Sequence, residues 1–98
     1  MIERLTQIAG YRGYGLLNEH GAYLEGSYNH DLGSALGKSI FELQRIVEDT
    51  IGNFNELVVR GKKGAIFIAR GHHRTCFTHT LKSTNYGLIR KIIAPVVQ

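Results

Sequence analysis

The sequence predicts an α+β domain with its elements in the order α-β-β-α-β-β-β-α. Three observations carry this. Residues 56–81 read ELVVRG-KKG-AIFIARG-HHR-TCFTHTL, three apolar runs separated by two basic, Gly-containing turns. Runs rich in Val, Ile, Phe and Thr have strand composition, and turns this short force antiparallel neighbours. Residues 31–51 repeat apolar side chains at helical spacing, and residues 11–27 read as a separate hairpin.

Taken in order, residues 1–9 place Ile2, Leu5, Ile8 and Ala9 at spacings of three and four, a short amphipathic helix. Two turns are marginal alone, so this helix must dock on the sheet. Residues 11–17 form a strand broken by Gly13 and Gly15, and 22–27 form its return. Between them Asn18-Glu19-His20-Gly21 is a polar turn with glycine where positive φ is needed.

The long helix spans 31–51. Steps of 100° put Leu32, Leu36, Ile40, Leu43, Val47 and Ile51 in one stripe, with Lys38, Glu42, Arg45 and Asp49 opposite. Asn29 or Asp31 caps its start and Gly52 ends it. Phe41 and Ile46 fall off the stripe, by roughly 140° on one side and roughly 80° on the other. They suggest a second buried surface, against the plain reading that single exposed apolar residues are ordinary. After the three-stranded meander, Ser83-Thr84-Asn85 offers a cap. Leu88, Ile89, Ile92 and Ile93 then face one way on a last helix that Pro95 should stop at Ala94.

Ninety-eight residues make a single domain, 1–98, with no room for two cores. One cysteine, Cys76, excludes an internal disulfide and fits a reducing compartment. No apolar run approaches the length of a bilayer span, and the start MIERLTQI is not a secretory signal. The expectation is a cytoplasmic protein. Net charge is +4, unevenly divided. Residues 1–56 hold eight acids and four bases, whereas 57–98 hold eight bases and no acid.

Chemical motifs fail on context. Gly33-Ser34-Ala35-Leu36-Gly37-Lys38-Ser39 mimics a phosphate-binding loop, but Leu32 stands where that loop needs glycine and no strand precedes it. Gly13-Tyr14-Gly15 lacks the third glycine of a dinucleotide fingerprint and enters a strand. His72 and His73 sit side by side in a turn, without a second paired-ligand unit for zinc. Cys76 alternates with Phe77 in a strand, as a small buried residue does. No carboxylate follows Glu56, so a catalytic dyad would need assembly across the fold. No enzyme signature, cofactor site or metal site emerges.

The basic second half raises nucleic acid or another acidic ligand as a partner. Geometry argues against nucleic acid. Arg60, Lys62 and Lys63 lie at one end of the meander, and Arg70, His72, His73 and Arg74 at the other. Nor do aromatics interleave with them. The apolar runs say more. Leu57-Val58-Val59 and Ala65-Ile66-Phe67-Ile68-Ala69 do not alternate, which implies cover on both faces. The long helix covers one face and the two short helices the other. Residues 57–60 end the meander, and a bare apolar edge is something soluble proteins avoid. Pairing with a second copy removes it and brings two long helices together. Leu57, Val58, Val59, Arg60, Phe41 and Ile46 are thus the expected dimer interface.

At the level of motifs the chain resembles the roadblock / dynein light-chain domain family. The matching stretches are Tyr14-Gly15-Leu16-Leu17-Asn18-Glu19-His20-Gly21-Ala22-Tyr23-Leu24, Leu57-Val58-Val59-Arg60-Gly61 followed by Gly64-Ala65-Ile66-Phe67-Ile68, and Asn85-Tyr86-Gly87-Leu88-Ile89-Arg90. The resemblance implies a five-stranded antiparallel sheet with one long helix on one face and two shorter helices on the other. It also implies homodimers, or dimers with a paralogue, joined through the third strand and the long helix. Such proteins are non-catalytic scaffolds that regulate small Ras-like GTPases or link motor complexes to cargo. Carried over, the long-helix face of bacterial and archaeal members points to Ser34, Lys38, Glu42, Arg45 and Asp49 as contacts for a small GTPase. Arg45 is the one basic side chain central on that face, placed for a scaffold contact rather than an arginine finger. The first helix here is very short, unlike that of members that assemble through it.

Overall fold

Five strands, β1 (Tyr11–Asn18), β2 (Tyr23–Gly26), β3 (Glu56–Gly61), β4 (Gly64–Arg70) and β5 (Arg74–Thr80), form one antiparallel sheet. Their spatial order is β2-β1-β5-β4-β3. The computed structural model describes residues 2–81 and 84–98. The hairpin and the meander join where β1 lies along β5, from Tyr11↔Thr80 to Asn18↔Arg74. That pairing makes β2 and β3 the two borders of the sheet.

Turn chemistry fixes the hairpins. Asn18 Oδ1 accepts from the N–H groups of His20 and Ala22, and Gly21 adopts φ 84° between them. This is an Asx turn closed by a residue free to enter the left-handed region. Gly61 pairs with Gly64 across a two-residue Lys62-Lys63 turn.

Two α-helices and a 3-10 helix complete the described residues. The 3-10 helix covers Ile2–Gln7, tighter than the α-helix expected there. Its Leu5 is fully buried, so docking rather than propensity holds this short segment. Helix α1 (His30–Ile51) is capped by Asn29, whose side chain accepts from Leu32 N–H at 2.9 Å. It ends where Gly52 (φ 88°) donates to Glu48 C=O. Helix α2 (Tyr86–Val97) is capped by Asn85. Ser83 of the expected cap lies outside the described residues.

Contrary to the expectation at Ala94, α2 runs through Pro95 to Val97. The carbonyl that Pro95 leaves without its usual donor belongs to Lys91, on the exposed side, where water can serve it. Val97 is buried and pins the last turn.

The core has two parts, one on each face. Leu16, Phe67, Ala69 and Cys76 meet Leu5, Ile8, Ile89, Ile92, Ile93 and Val97 under α2 and the 3-10 helix. Leu17, Ile68 and Phe77 meet Ile40 under α1. Burial pushes the Cys76 thiol up to about 12, so it is an inert apolar side chain.

The sheet-facing ridge of α1 corrects the expected stripe. Its buried residues are Gly33, Gly37, Ile40 and Gln44. Leu36, Leu43 and Val47 are half-buried, and Leu32 and Ile51 are exposed. The helix is turned by roughly 60° from the stripe, so that its glycines approach β1 and β2 closely.

A candidate docking surface along the third strand

Helix α1 approaches the backbone of β1 and β2 most closely and reaches β5 and β4 through the side chains of Ile40, Gln44 and Glu48. The cover expected on both faces is supplied along β4, where Ala65, Phe67, Ile68 and Ala69 are buried and Ile66 is half-buried, but not along β3, where Leu57 and Val58 are half-buried and Val59 is exposed. Side chains of β3 alternate in the usual way. Leu57 joins the α1-side cluster and Val58 the α2-side cluster. Val59, on the α1 side, is 43% exposed. Arg60, on the α2 side, holds its guanidinium 5.5 Å from the centroid of the Tyr86 ring. Glu56 on that same side accepts from Arg90 Nε at 2.6 Å, tying the strand to α2.

Between α1 and the β3–β4 hairpin an open groove of about 730 Å³ is lined by Tyr28, Leu32, Leu36, Val59, Ile66 and Phe77. Arg60, Lys62, Lys63 and His79 also line it. Leu32 at 48% exposure and Ile46 at 63% are large apolar side chains left in water on α1. Neighbouring apolar groups around a groove mark a contact surface more strongly than scattered ones.

The border beside the groove is open. Among the described residues β3 pairs with β4 alone. Arg70 N–H donates to Asn55 C=O, directly opposite it. Hydrogen-bonded pairs alternate with non-bonded ones along an antiparallel ladder. The backbone groups of Leu57, Val59 and Gly61 are thus used on β4, and those of Glu56, Val58 and Arg60 point outward.

The structure brings Leu57, Val58, Val59 and Arg60 to this border, while Ile46 is exposed on α1 outside the residues that line the groove. Phe41 lies elsewhere. It is half-buried against the β1–β2 turn, where a Cβ on Gly21 would come 2.7 Å from its Cβ. Phe41 and Ile46 occupy nearly opposite flanks of α1, so one helix contact cannot bury both, and Phe41 is already half-covered by its own chain.

Of the proposed partner contacts, Lys38, Glu42, Arg45 and Asp49 are exposed on the outer side of α1, and Ser34 is half-buried. Arg45 lines a cleft of about 340 Å³ with Glu48, Arg70, His73 and Arg74. There Arg70 Nη2 donates to Glu48 at 2.8 Å, and its guanidinium lies 4.6 Å from the Phe54 ring centroid. His73 Nδ1 is 3.3 Å from Glu19 Oε2. Mixed charge, rather than a uniform basic patch, surrounds Arg45. This cleft and the Lys62-Lys63 turn lie at opposite ends of the sheet.

Among the described residues no cluster of three or more His, Cys, Asp or Glu side chains is arranged to hold a metal. No helix among them is long and apolar enough to cross a membrane. The open flank of β3 is not legible in the sequence, because nothing there shows how far α1 reaches across the sheet.

No protein-family model and no curated protein matches the sequence. Solved structures do match its shape. The roadblock/LC7 domain from Streptomyces avermitilis superposes with a TM-score of 0.79 at 13% identity, over 99% of this chain and 88% of that one. The gliding protein MglB from Thermus thermophilus superposes with a TM-score of 0.79 at 13% identity, over 99% and 80%. A structure of MglB in a tetrameric arrangement superposes with a TM-score of 0.69 at 14% identity, over 99% and 79%. The chain has the roadblock/LC7 fold.

Proposed function

We propose that this protein is a non-catalytic scaffold that works as a pair of copies and docks a small Ras-like GTPase. The observation that carries the reading is the open β3 border beside the uncovered apolar groove. A second β3 would satisfy the outward backbone groups of Glu56, Val58 and Arg60, and a second α1 would cover Ile46 and Leu32. Self-association also fits a fold in which MglB has been seen in a tetrameric arrangement.

In the pair, the outer side of each α1 stays in solvent and presents Ser34, Lys38, Glu42, Arg45 and Asp49. These charges of both signs suit a polar protein surface better than a phosphate or nucleic-acid backbone. Regulation would come from binding one nucleotide state of the GTPase more tightly than the other. Light scattering tests the first step, with a mass of two chains expected at micromolar concentration. Titration calorimetry against candidate Ras-like GTPases tests the second. Equal affinity for GDP- and GTP-loaded forms would leave a docking platform and remove a regulatory role.

A further inference from the structure

We propose that the β3 border is self-complementary and selects a second copy of this chain in a single register, centred on Val58. The inference rests on the two-copy reading above and adds which residues meet. Two-fold antiparallel pairing in one continuous sheet requires facing residues to lie on the same side, so the centre must fall on a residue: Leu57, Val58 or Val59. The outward backbone groups are those of Glu56, Val58 and Arg60, so only a centre on Val58 uses all three on both strands. The other two centres leave one outward residue of each strand beyond the opposing strand's end.

Charge selects the same register. Centring on Val58 places Glu56 of one copy opposite Arg60 of the other, twice by symmetry. Opposite charges facing across a ladder are favourable and like charges are not. Arg90 Nε holds Glu56 Oε2 at 2.6 Å, and Oε1 is the acceptor that Arg60 of the second copy would take. Leu57 then faces Val59 of the other copy on the groove side. Lys62 comes opposite position 54, in the segment that leaves the C-terminal end of α1. That last turn carries no basic residue, and its dipole together with Asp49 favours an approaching cation.

A cysteine scan reads the register directly. Val58→Cys is expected to cross-link to itself under mild oxidation, since facing residues of a bonded pair sit within disulfide reach. Leu57→Cys and Val59→Cys are each expected to fail alone and to cross-link when mixed with one another. The buried Cys76 stays silent. Exchanging charges reads the selection. Glu56→Arg or Arg60→Glu alone should weaken self-pairing about tenfold, through two like-charge contacts per dimer. A mixture of the two variants should regain pairing as a one-to-one heterodimer in native mass spectrometry.

Both charged side chains reach solvent, and circular dichroism before mixing confirms that each variant folds. A wild-type chain that is monomeric would overturn the two-copy reading itself. A dimeric wild type in which Leu57→Cys or Val59→Cys cross-links alone, or in which the charge variants show no preference for each other, would overturn the register and leave the two-copy reading standing.

Discussion

Gly33 of α1 lies against the face of Tyr23 in β2, where an added Cβ would come 2.3 Å from Tyr23 Cε2. The ring has little room to yield. Tyr23 Oη donates to Tyr28 C=O at 3.0 Å and accepts from Tyr28 N–H at 3.2 Å. Gly33→Ala should therefore destabilise the fold although alanine favours helix. Overpacking costs typically about 1–3 kcal/mol and a propensity gain of about 1 kcal/mol offsets part of it, leaving a net loss of up to about 2 kcal/mol. Thermal unfolding by circular dichroism measures it. An unchanged or raised midpoint would show that the helix can lift off β2 without cost.

The same contact explains what could be read from the sequence and what could not. Strand runs, turn chemistry and the long helix were legible because each is written locally: Val, Ile and Phe in 57–69, Asn18 before Gly21, Asn29 before the apolar repeat. The face that α1 buries was not. Periodicity weighs side chains, and Gly33 and Gly37 have none, yet close approach to the sheet makes them the contact ridge. The open β3 border was visible as an apolar run at the end of a meander. The groove beside it was not, because its existence depends on α1 resting over β1 and β2.

Both helix starts rest on asparagine caps, with Asn29 Oδ1 2.9 Å from Leu32 N and Asn85 Oδ1 3.1 Å from Leu88 N. Replacing either by alanine should cost about 0.5–2 kcal/mol. The Asn29→Gly change should cost only a few tenths. Denaturant midpoints at unchanged slope would check this, since a changed slope would mean altered compactness instead.

Cys76 sets an alkaline limit. Its thiol is raised to about 12 by burial, against an ordinary value of 9.0. The folded chain holds this proton more tightly than the unfolded chain. The contribution is complete below about 9 and is lost as pH rises towards about 12. Tyr14 and Tyr28 are raised by burial as well and act in the same direction. Comparing wild type with Cys76→Ala isolates the thiol. Wild type should lose more unfolding free energy between pH 8 and pH 10.5, values that roughly bracket the free-thiol pKa. Ellman's reagent should react only after unfolding. Rapid reaction of the native chain would show that the thiol is not enclosed.

Phe41 and Ile46 separate folding from association. Phe41 fills the space beside Gly21 within its own chain, and Ile46 meets water on α1. Phe41→Ala should cost about 2 kcal/mol, less than the 3–5 kcal/mol of a fully buried phenylalanine because the ring is half-exposed. In the proposed two-copy assembly, its midpoint should fall while the dissociation constant of the folded pair changes little. Ile46→Asp should do the reverse. A monomer loses nothing by exchanging an exposed side chain, but a carboxylate pressed into an apolar helix contact must be desolvated. Its dissociation constant should rise at least about tenfold, the equivalent of about 1.4 kcal/mol. Sedimentation equilibrium paired with thermal unfolding at two concentrations distinguishes the two behaviours. If Ile46→Asp pairs as tightly as wild type, α1 is not part of the joint and the β3 border must hold the two copies alone.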